Sequence, residues 1–344
     1  MKHLFFKAVL CLDLIFWGCA PPLLARTVSP ATEYLRILFY NTENFFDCQD
    51  DSLTRDEAFL PDGDYHWTPA RFRHKTHQIA KVLAIAGDTR YPDLFALAEV
   101  ETEDNLKYLL KTAGMEQYRY IYGVSEDARG IDVCLAYHRY RFKPLMQDVI
   151  HLRFPQDSLR RTRPILYACM LTQQSDSLHL FVCHWPSKLG GARQSSALRA
   201  HAATVLRSRV DSIFLLQPQA KILIMGDFND QAQDASMREY LGALPDTCRQ
   251  ICDTALYNLM WTSTLNDDIK SHRYQGEWSM LDQMVVSGAL FRQKLKAQVF
   301  KPDFLLIEDE KHLGKKPLRS YYGYQYLGGY SDHLPVFVDI PLRP

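Results

Sequence analysis

Short apolar runs that close on a polar side chain recur along this chain. Leu35–Asn41 (LRILFYN) alternates apolar residues and ends in Asn41, Thr42, Glu43 and Asn44. Pro92–Glu99 (PDLFALAE) ends in a carboxylate, and Leu178–His184 (LHLFVCH) ends in an imidazole. Lys221–Asp230 (KILIMGDFND) carries Ile222–Met225, then Gly226, Asp227, Phe228 and Asn229. Runs this short, bounded by turn formers, predict buried strands. Further strands are expected over Gly130–Tyr137, Ile165–Thr172, Asp282–Val286, Phe304–Ile307 and Leu334–Ile340. Three stretches have helical spacing instead. Thr68 and Pro69 are an N-cap and a first-turn proline, Phe72, Ile79, Val82, Leu83 and Ala86 follow on one face, and Gly87 closes the helix. Glu103–Lys111 predicts a short helix ended by Gly114, and Ser195–Leu216 a long one with Leu198, Ala202, Val205, Val210 and Ile213 near one face. Residues 47–66 and 319–330 predict loops, the second with five tyrosines and three glycines.

The polar ends of these strands are the informative positions. Side chains from the same end of stacked strands converge in space. In extended chain Asp227 and Asn229 share a face while Phe228 points back to the core, with Gly226 allowing a sharp turn. Two oxygen donors aimed at one point suit a hard cation or a phosphate; they also suit a plain Asp-Phe-Asn turn. Asn41 has the same two readings. Glu99 at the end of a buried run needs compensation, from a metal or from a Lys or Arg partner. Asp132 enters an apolar run and needs a partner as well. Arg160–Arg163 is a basic run that reads as a solvated turn or as a phosphate contact. His74 and His77 read as exposed or salt-bridged helix residues.

Composition adds limits. The chain has 344 residues with 40 Lys+Arg and 40 Asp+Glu, so overall charge does not mark a polyanion binder and any basic surface is local. Residues 1–25 read as a signal peptide, with Lys2 and Lys7 before an apolar run and Pro21-Pro22 after it. Gly18-Cys19-Ala20 offers a small-x-small cleavage site, Ala25 a second site, and Cys19 a lipoprotein site that would tether the chain to a membrane. Residues 30–344 are expected to form a single catalytic domain. Of the cysteines beyond the leader, Cys134, Cys169 and Cys183 read as buried hydrophobes, and Cys248 and Cys252 as a local disulfide or two free thiols.

Taken in order, YNTENFFD, LAEVE, RGIDVCLAY, HWPSK, GDFND, LDQMVVS and YSDHLPV resemble the endonuclease/exonuclease/phosphatase superfamily with its DNase I-like fold, from about Leu35 to the end. The surrounding sequence resembles an exported bacterial nuclease-like branch. The resemblance implies an α/β four-layer α/β/β/α sandwich of two mainly antiparallel sheets, with the site at one end of both. It implies Glu99 as the principal Mg²⁺ ligand, with Mn²⁺ as an alternative, Asn41 beside it, and Asp332 as a metal-side carboxylate. Asp227 and Asn229 would position the attacking water and the phosphate. Asp282 would orient His333, which polarises the phosphate or handles the proton. His184 would contact phosphate, oriented by Asp132, and Arg163 and Trp185 would contact substrate.

The expectation is therefore an exported, monomeric, Mg²⁺-dependent phosphodiesterase acting on DNA or RNA, located in the periplasm, at the outer membrane or outside the cell. A phosphatase or phospholipase-type hydrolase of a small or lipid phosphate is the alternative, since net charge is zero. The tyrosine loop stacks nucleobases in the first reading or packs on itself. A non-catalytic binding protein on the same scaffold is the third class.

Overall fold

A computed structural model describes residues 33–342 apart from 156, 158, 189, 190 and 267. The proposed leader, with Cys19, lies outside the described residues. In chain order the strands begin with β1 (Tyr34–Phe45), β2 (Leu94–Val100), β3 (Tyr118–Gly123) and β4 (Asp132–His138). There follow β5 (Phe142–Ile150), β6 (Ile165–Thr172), β7 (Ser177–His184), β8 (Lys221–Asp227), β9 (Ala243–Pro245) and β10 (Leu256–Asn258). A hairpin of β11 (His272–Tyr274) and β12 (Glu277–Ser279) precedes β13 (Asp282–Ser287) and β14 (Ala297–Val299). Two more small hairpins, β15 (Leu306–Glu308) with β16 (Lys315–Pro317) and β17 (Tyr321–Tyr322) with β18 (Gln325–Tyr326), come before β19 (Val336–Pro341). The longer helices are α1 (Pro69–Ala86), α2 (Glu103–Thr112) and α3 (Ala192–Leu216).

The strands form two main sheets. One runs β14-β19-β1-β2-β4-β3 and the other β5-β6-β7-β8-β13-β10-β9. Pairing is mainly antiparallel; β1–β2, β7–β8 and β9–β10 are parallel. The central strands are buried on both faces, which is why they read as nearly continuous apolar runs. Leu35, Ile37 and Phe39 of β1 and Leu223 and Met225 of β8 belong to the core shared by the two sheets. Their alternates Leu38 and Tyr40 pack with Ile79, Val82 and Leu83 of α1 and Leu106 and Leu109 of α2. Ile222 and Ile224 pack with Ala202, Leu206 and Val210 of α3. The result is the expected four-layer sandwich.

Local chemistry explains the element ends and the departures. Thr68 caps α1, its hydroxyl accepting from the Arg71 N–H at 3.4 Å. The loop of residues 47–66 is not structureless: Trp67 is buried against it and its indole N–H donates to the Phe46 carbonyl. The tyrosine stretch contains the β17–β18 hairpin rather than pure loop, with Tyr321 buried and Tyr322 and Tyr324 exposed. Phe304–Ile307 begins as a 3-10 turn and extends only from Leu306. Gly226 lies inside β8 and makes no turn. A Cβ there would sit 2.2 Å from the Cys183 carbonyl oxygen, so glycine is required by the close approach of β7. Cys248 and Cys252 are free thiols. Among the described residues no helix is long and apolar enough to cross a membrane.

Candidate active site

Strand phase decides which polar side chains meet. Side chains two apart share a sheet face. Asn41 continues the series Leu35, Ile37, Phe39; His184 continues Leu178, Leu180, Val182; Asp227 continues Leu223, Met225; and Asp282 precedes Met284, Val286. All four are thereby in phase with the core between the sheets. Register then sets them side by side, because Asp227 of β8 lies opposite His184 of parallel β7 and opposite Asp282 of antiparallel β13. Glu99 is out of phase with Leu94, Ala96 and Ala98. It has φ of +63°, and the β2–β4 register shifts between Ala98 and Val100. This left-handed residue turns its carboxylate toward the others, while Val100 beyond it packs on the helix side. Glu43, Asn44 and Asn229 are also left-handed, at +52°, +54° and +51°.

The side chains form a connected array. The Asn41 amide donates to Glu99 Oε1 at 3.2 Å and to Asp227 Oδ2 at 3.1 Å. The Asn44 N–H donates to Glu99 Oε2 and the Asn229 N–H to Asp227 Oδ1, each at 2.9 Å. His184 Nε2 is 3.7 Å from both Glu99 Oε1 and Asp227 Oδ2. His333 Nε2 is 3.7 Å from Asp227 Oδ2, and its Nδ1 is 2.7 Å from Asp282 Oδ2. Two serines hold this geometry. Ser331 donates to the Asn41 carbonyl and accepts from the His333 N–H. Ser271 Oγ accepts from the N–H groups of Leu281 and Asp282.

Burial sets the charges. It pushes the Asp227 carboxyl up to about 7 against the pull of His333. Burial opposes a proton on His333, but Asp282 and Asp227 outweigh it and hold that imidazolium well above the ordinary histidine range. His184 is driven well below that range by burial and by Arg163, so it is neutral, and its buried Nδ1 has no hydrogen-bond partner. Among the described residues neither Glu99 nor Asp227 has a lysine or arginine ion-pair partner. Two carboxylates bridged by an amide and short of compensating charge fit a hard divalent cation.

Several expected residues are placed differently. Asp132 is in phase with Cys134 and Ala136, which pack on the helix side, while Val133, Leu135 and Tyr137 face the second sheet. Its Oδ1 accepts from the Ser125 N–H at 2.7 Å, so it does not orient His184. Arg163 is buried; its guanidinium donates to Asp127 and to the Trp185 carbonyl and so holds a loop rather than a substrate. Trp185 is fully buried, edge-on against Phe228 with centroids 4.7 Å apart, and is a core residue. Asn229 donates its amide to the Trp185 carbonyl at 3.1 Å. Asp332 accepts from Arg319 at 3.0 Å and clusters with His272 and His333, their ligand atoms within 4.8 Å of one another.

Other groups at this end were not legible in advance. Arg319 also donates to Glu43 Oε1 at 2.9 Å, and Glu43 Oε2 accepts from the Ser320 N–H. Buried Lys75 donates to Ser320 Oγ and the Tyr330 carbonyl. Burial pushes Glu43 up and Lys75 down. His272 stacks obliquely on His333, with centroids 4.7 Å apart. Only Glu43 carried a signal, two residues beyond Asn41; Lys75 lies mid-helix, and His272 and Arg319 lie in irregular sequence.

A sequence profile described as Endonuclease/Exonuclease/phosphatase family matches residues 36–341. No curated protein sequence matches significantly. Among solved structures, a humanized D. rerio TDP2 is 17% identical, with 89% of this chain and 98% of that one aligned at a TM-score of 0.54. A mannosyl-6-phosphatase of Bacteroides thetaiotaomicron is 14% identical over 88% of this chain and 98% of that one, TM-score 0.54. The human Nocturnin catalytic domain with bound sulfate is 14% identical over 89% and 93%, TM-score 0.54. At such identities the likeness is one of fold.

Proposed function

We propose, for a chain that belongs to the endonuclease/exonuclease/phosphatase family and is thus a hydrolase of phosphate esters, that its substrate is a phosphodiester of DNA or RNA and its metal Mg²⁺. The observation that carries this reading is the single array in which Asn41 bridges Glu99 and Asp227 while His333, fixed by Asp282, faces Asp227. Mg²⁺ held by Glu99 and Asn41 would neutralise charge on the phosphoryl oxygens during in-line attack. Asp227, raised toward neutrality, is placed to take a proton from water. The Asn229 N–H fixes the orientation of that carboxylate. His333 enters the reaction as an imidazolium and directs its Nε2–H to a phosphoryl oxygen. Neutral His184 offers a second N–H toward the same space. No covalent nucleophile is needed.

Proteins of this fold divide over substrate. D. rerio TDP2 is seen with a single-stranded DNA product, whereas the B. thetaiotaomicron protein is a mannosyl-6-phosphatase. The zero net charge keeps a small phosphate ester as the second reading. Export rests on the N-terminal sequence alone, and mass spectrometry of the mature N-terminus tests cleavage and lipidation at Cys19.

The test is nicking of plasmid, release of nucleotides from RNA and hydrolysis of a lipid phosphodiester, each with Mg²⁺ and with EDTA. Cleavage of nucleic acid that EDTA abolishes is expected. Asp227→Ala and His333→Ala should each lower kcat by about 10²–10⁴-fold, the range of general acid–base effects, with unfolding still cooperative. Near-normal rates in either variant would remove that residue from its role, and inactivity on every ester would favour a binding protein.

A further inference from the structure

Arg163 is spent on structure, but the carboxylate it holds carries a second arginine. Asp127 Oδ2 accepts from Arg163 Nη1 at 2.8 Å. Asp127 Oδ1 accepts from both the backbone N–H and the Nε–H of Arg129, at 3.0 and 3.2 Å. Against burial, the charges of Arg163 and Arg129 hold the Asp127 carboxyl below the ordinary range. Arg129 is thus gripped by its Nε edge. Its two terminal Nη groups have no protein partner among the described residues, and its side chain stays 42% exposed. The loop that carries it is fixed. The Arg55 N–H donates to the Ala128 carbonyl at 2.7 Å. Gly130, at φ of +68°, lies so close to Thr54 that a Cβ would sit 2.8 Å from its Cγ2.

Strand order places this fork beside the array. β4 starts at Asp132, opposite Val100 of β2, so residues 124–131 enter at the end of the sheet where Glu99 lies. Arg163 ties the same loop to the Trp185 carbonyl, next to His184. Burial, Arg163 and then Arg129 disfavour a proton on His184, so the Arg129 charge reaches that ring. Yet among the described residues Arg129 pairs with neither Glu99 nor Asp227, and so stands one step outside the array. Its surroundings are basic. Arg153 and Arg161 both pair with neighbouring Glu126, so on this rim four guanidinium groups meet two carboxylates. A planar donor fork with open Nη groups, anchored from behind, suits a phosphate. A phosphomonoester brings only the phosphate that reacts, whereas a nucleic acid strand brings another beside it. We propose that Arg129 binds the backbone phosphate adjoining the scissile one and makes the site selective for a polynucleotide strand over a small phosphate ester. The proposal rests on the reading above for the position of the scissile phosphate. The local excess of arginine supplies the attraction that the zero net charge of the chain does not.

Binding without turnover tests it, by the anisotropy of a fluorescein-labelled octathymidylate in EDTA over a salt series. Each phosphate contact on a single strand contributes about 0.7 to the slope of log affinity against log salt. Arg129→Gln should lower that slope by about 0.7 and weaken binding about tenfold or more, the size of hydrogen bonds to a charged group. Arg129→Lys should keep the slope and recover part of the affinity, a rescue that a merely structural role would not give. In Mg²⁺, the ratio of kcat/KM for octathymidylate to that for bis(p-nitrophenyl) phosphate should fall in Arg129→Gln by the same factor, through KM. Circular dichroism melts report the fold. Should that variant not fold, the unaltered protein decides: thymidine 3′,5′-bisphosphate should displace the octamer about tenfold better than thymidine 5′-monophosphate. An unchanged slope, equal losses on both substrates, equal displacement by the two thymidine phosphates, or failure to bind octathymidylate with or without Mg²⁺ would each overturn the proposal. The two readings fail separately. Hydrolysis of nucleic acid with an unchanged slope sinks only the Arg129 contact, whereas an Arg129-dependent slope without any hydrolysis sinks only the hydrolase mechanism.

Discussion

Asp132 and Asp227 are both buried aspartates near strand ends, and their environments give them opposite fates. Asp227 faces an imidazolium and two amide-bonded neighbours in the array. Asp132 is on the opposite phase of its strand, where burial pushes its carboxyl up to about 6 despite bonds from Ser125 and Tyr122. The folded chain therefore holds this proton more tightly than the unfolded chain. The stability contributed is fully present below about pH 4 and is lost as pH rises to about 6. Asp132→Asn should remove that dependence. Chemical denaturation at pH 7.5 should find the variant more stable than the parent by up to about 3 kcal/mol, given 1.36 kcal/mol per unit, and the difference should vanish near pH 3.5. A variant less stable at pH 7.5 would mean that the carboxylate has an opposing partner.

At the scale of elements, β7 and β8 set the geometry of the site. Their close approach brings the Cys183 carbonyl against Gly226, one residue before the pair His184–Asp227. Gly226→Ala forces a Cβ into that carbonyl, so the strands must part. The expected cost is about 1–3 kcal/mol, as for other overpacked cores. Activity should fall further than stability predicts, because His184 and Asp227 separate; urea melts and kcat on the same preparation check both. The strand was legible in Ile222–Met225, but the role of its glycine was not, since a turn and a strand contact leave the same letter in the sequence. Helices α1, α2 and α3 were legible from caps and periodicity, to within a few residues. The hairpins β11–β12 and β17–β18 were not, because they are short and held by packing on Trp67, His333 and their neighbours rather than by an alternating pattern.

For the whole molecule, the two sheets bring the Glu99 and Asp227 carboxylates, neither with a lysine or arginine ion-pair partner among the described residues, together at one end of a shared core. A cation that binds only the folded chain stabilises it by mass action. Mg²⁺ at about a hundred times its Kd should raise stability by about 2.7 kcal/mol, read as an upward shift of the thermal midpoint that EDTA reverses. Glu99→Gln should lose the shift while remaining folded; a parent chain indifferent to Mg²⁺ and Mn²⁺ would contradict the metal site. The sequence by itself determined the strands β1, β2, β4, β6, β7, β8, β13 and β19, the long helices and the polar side chains that close Leu35–Asn41, Leu178–His184 and Lys221–Asp227, because period and residue type are local properties. Tertiary structure alone decided which of those side chains meet. A strand's phase relative to its neighbours, the left-handed turn at Glu99, and the pairing of Arg319 with Glu43 and Asp332 depend on contacts between residues far apart in the chain, and one residue of phase separates Asp132 from the site.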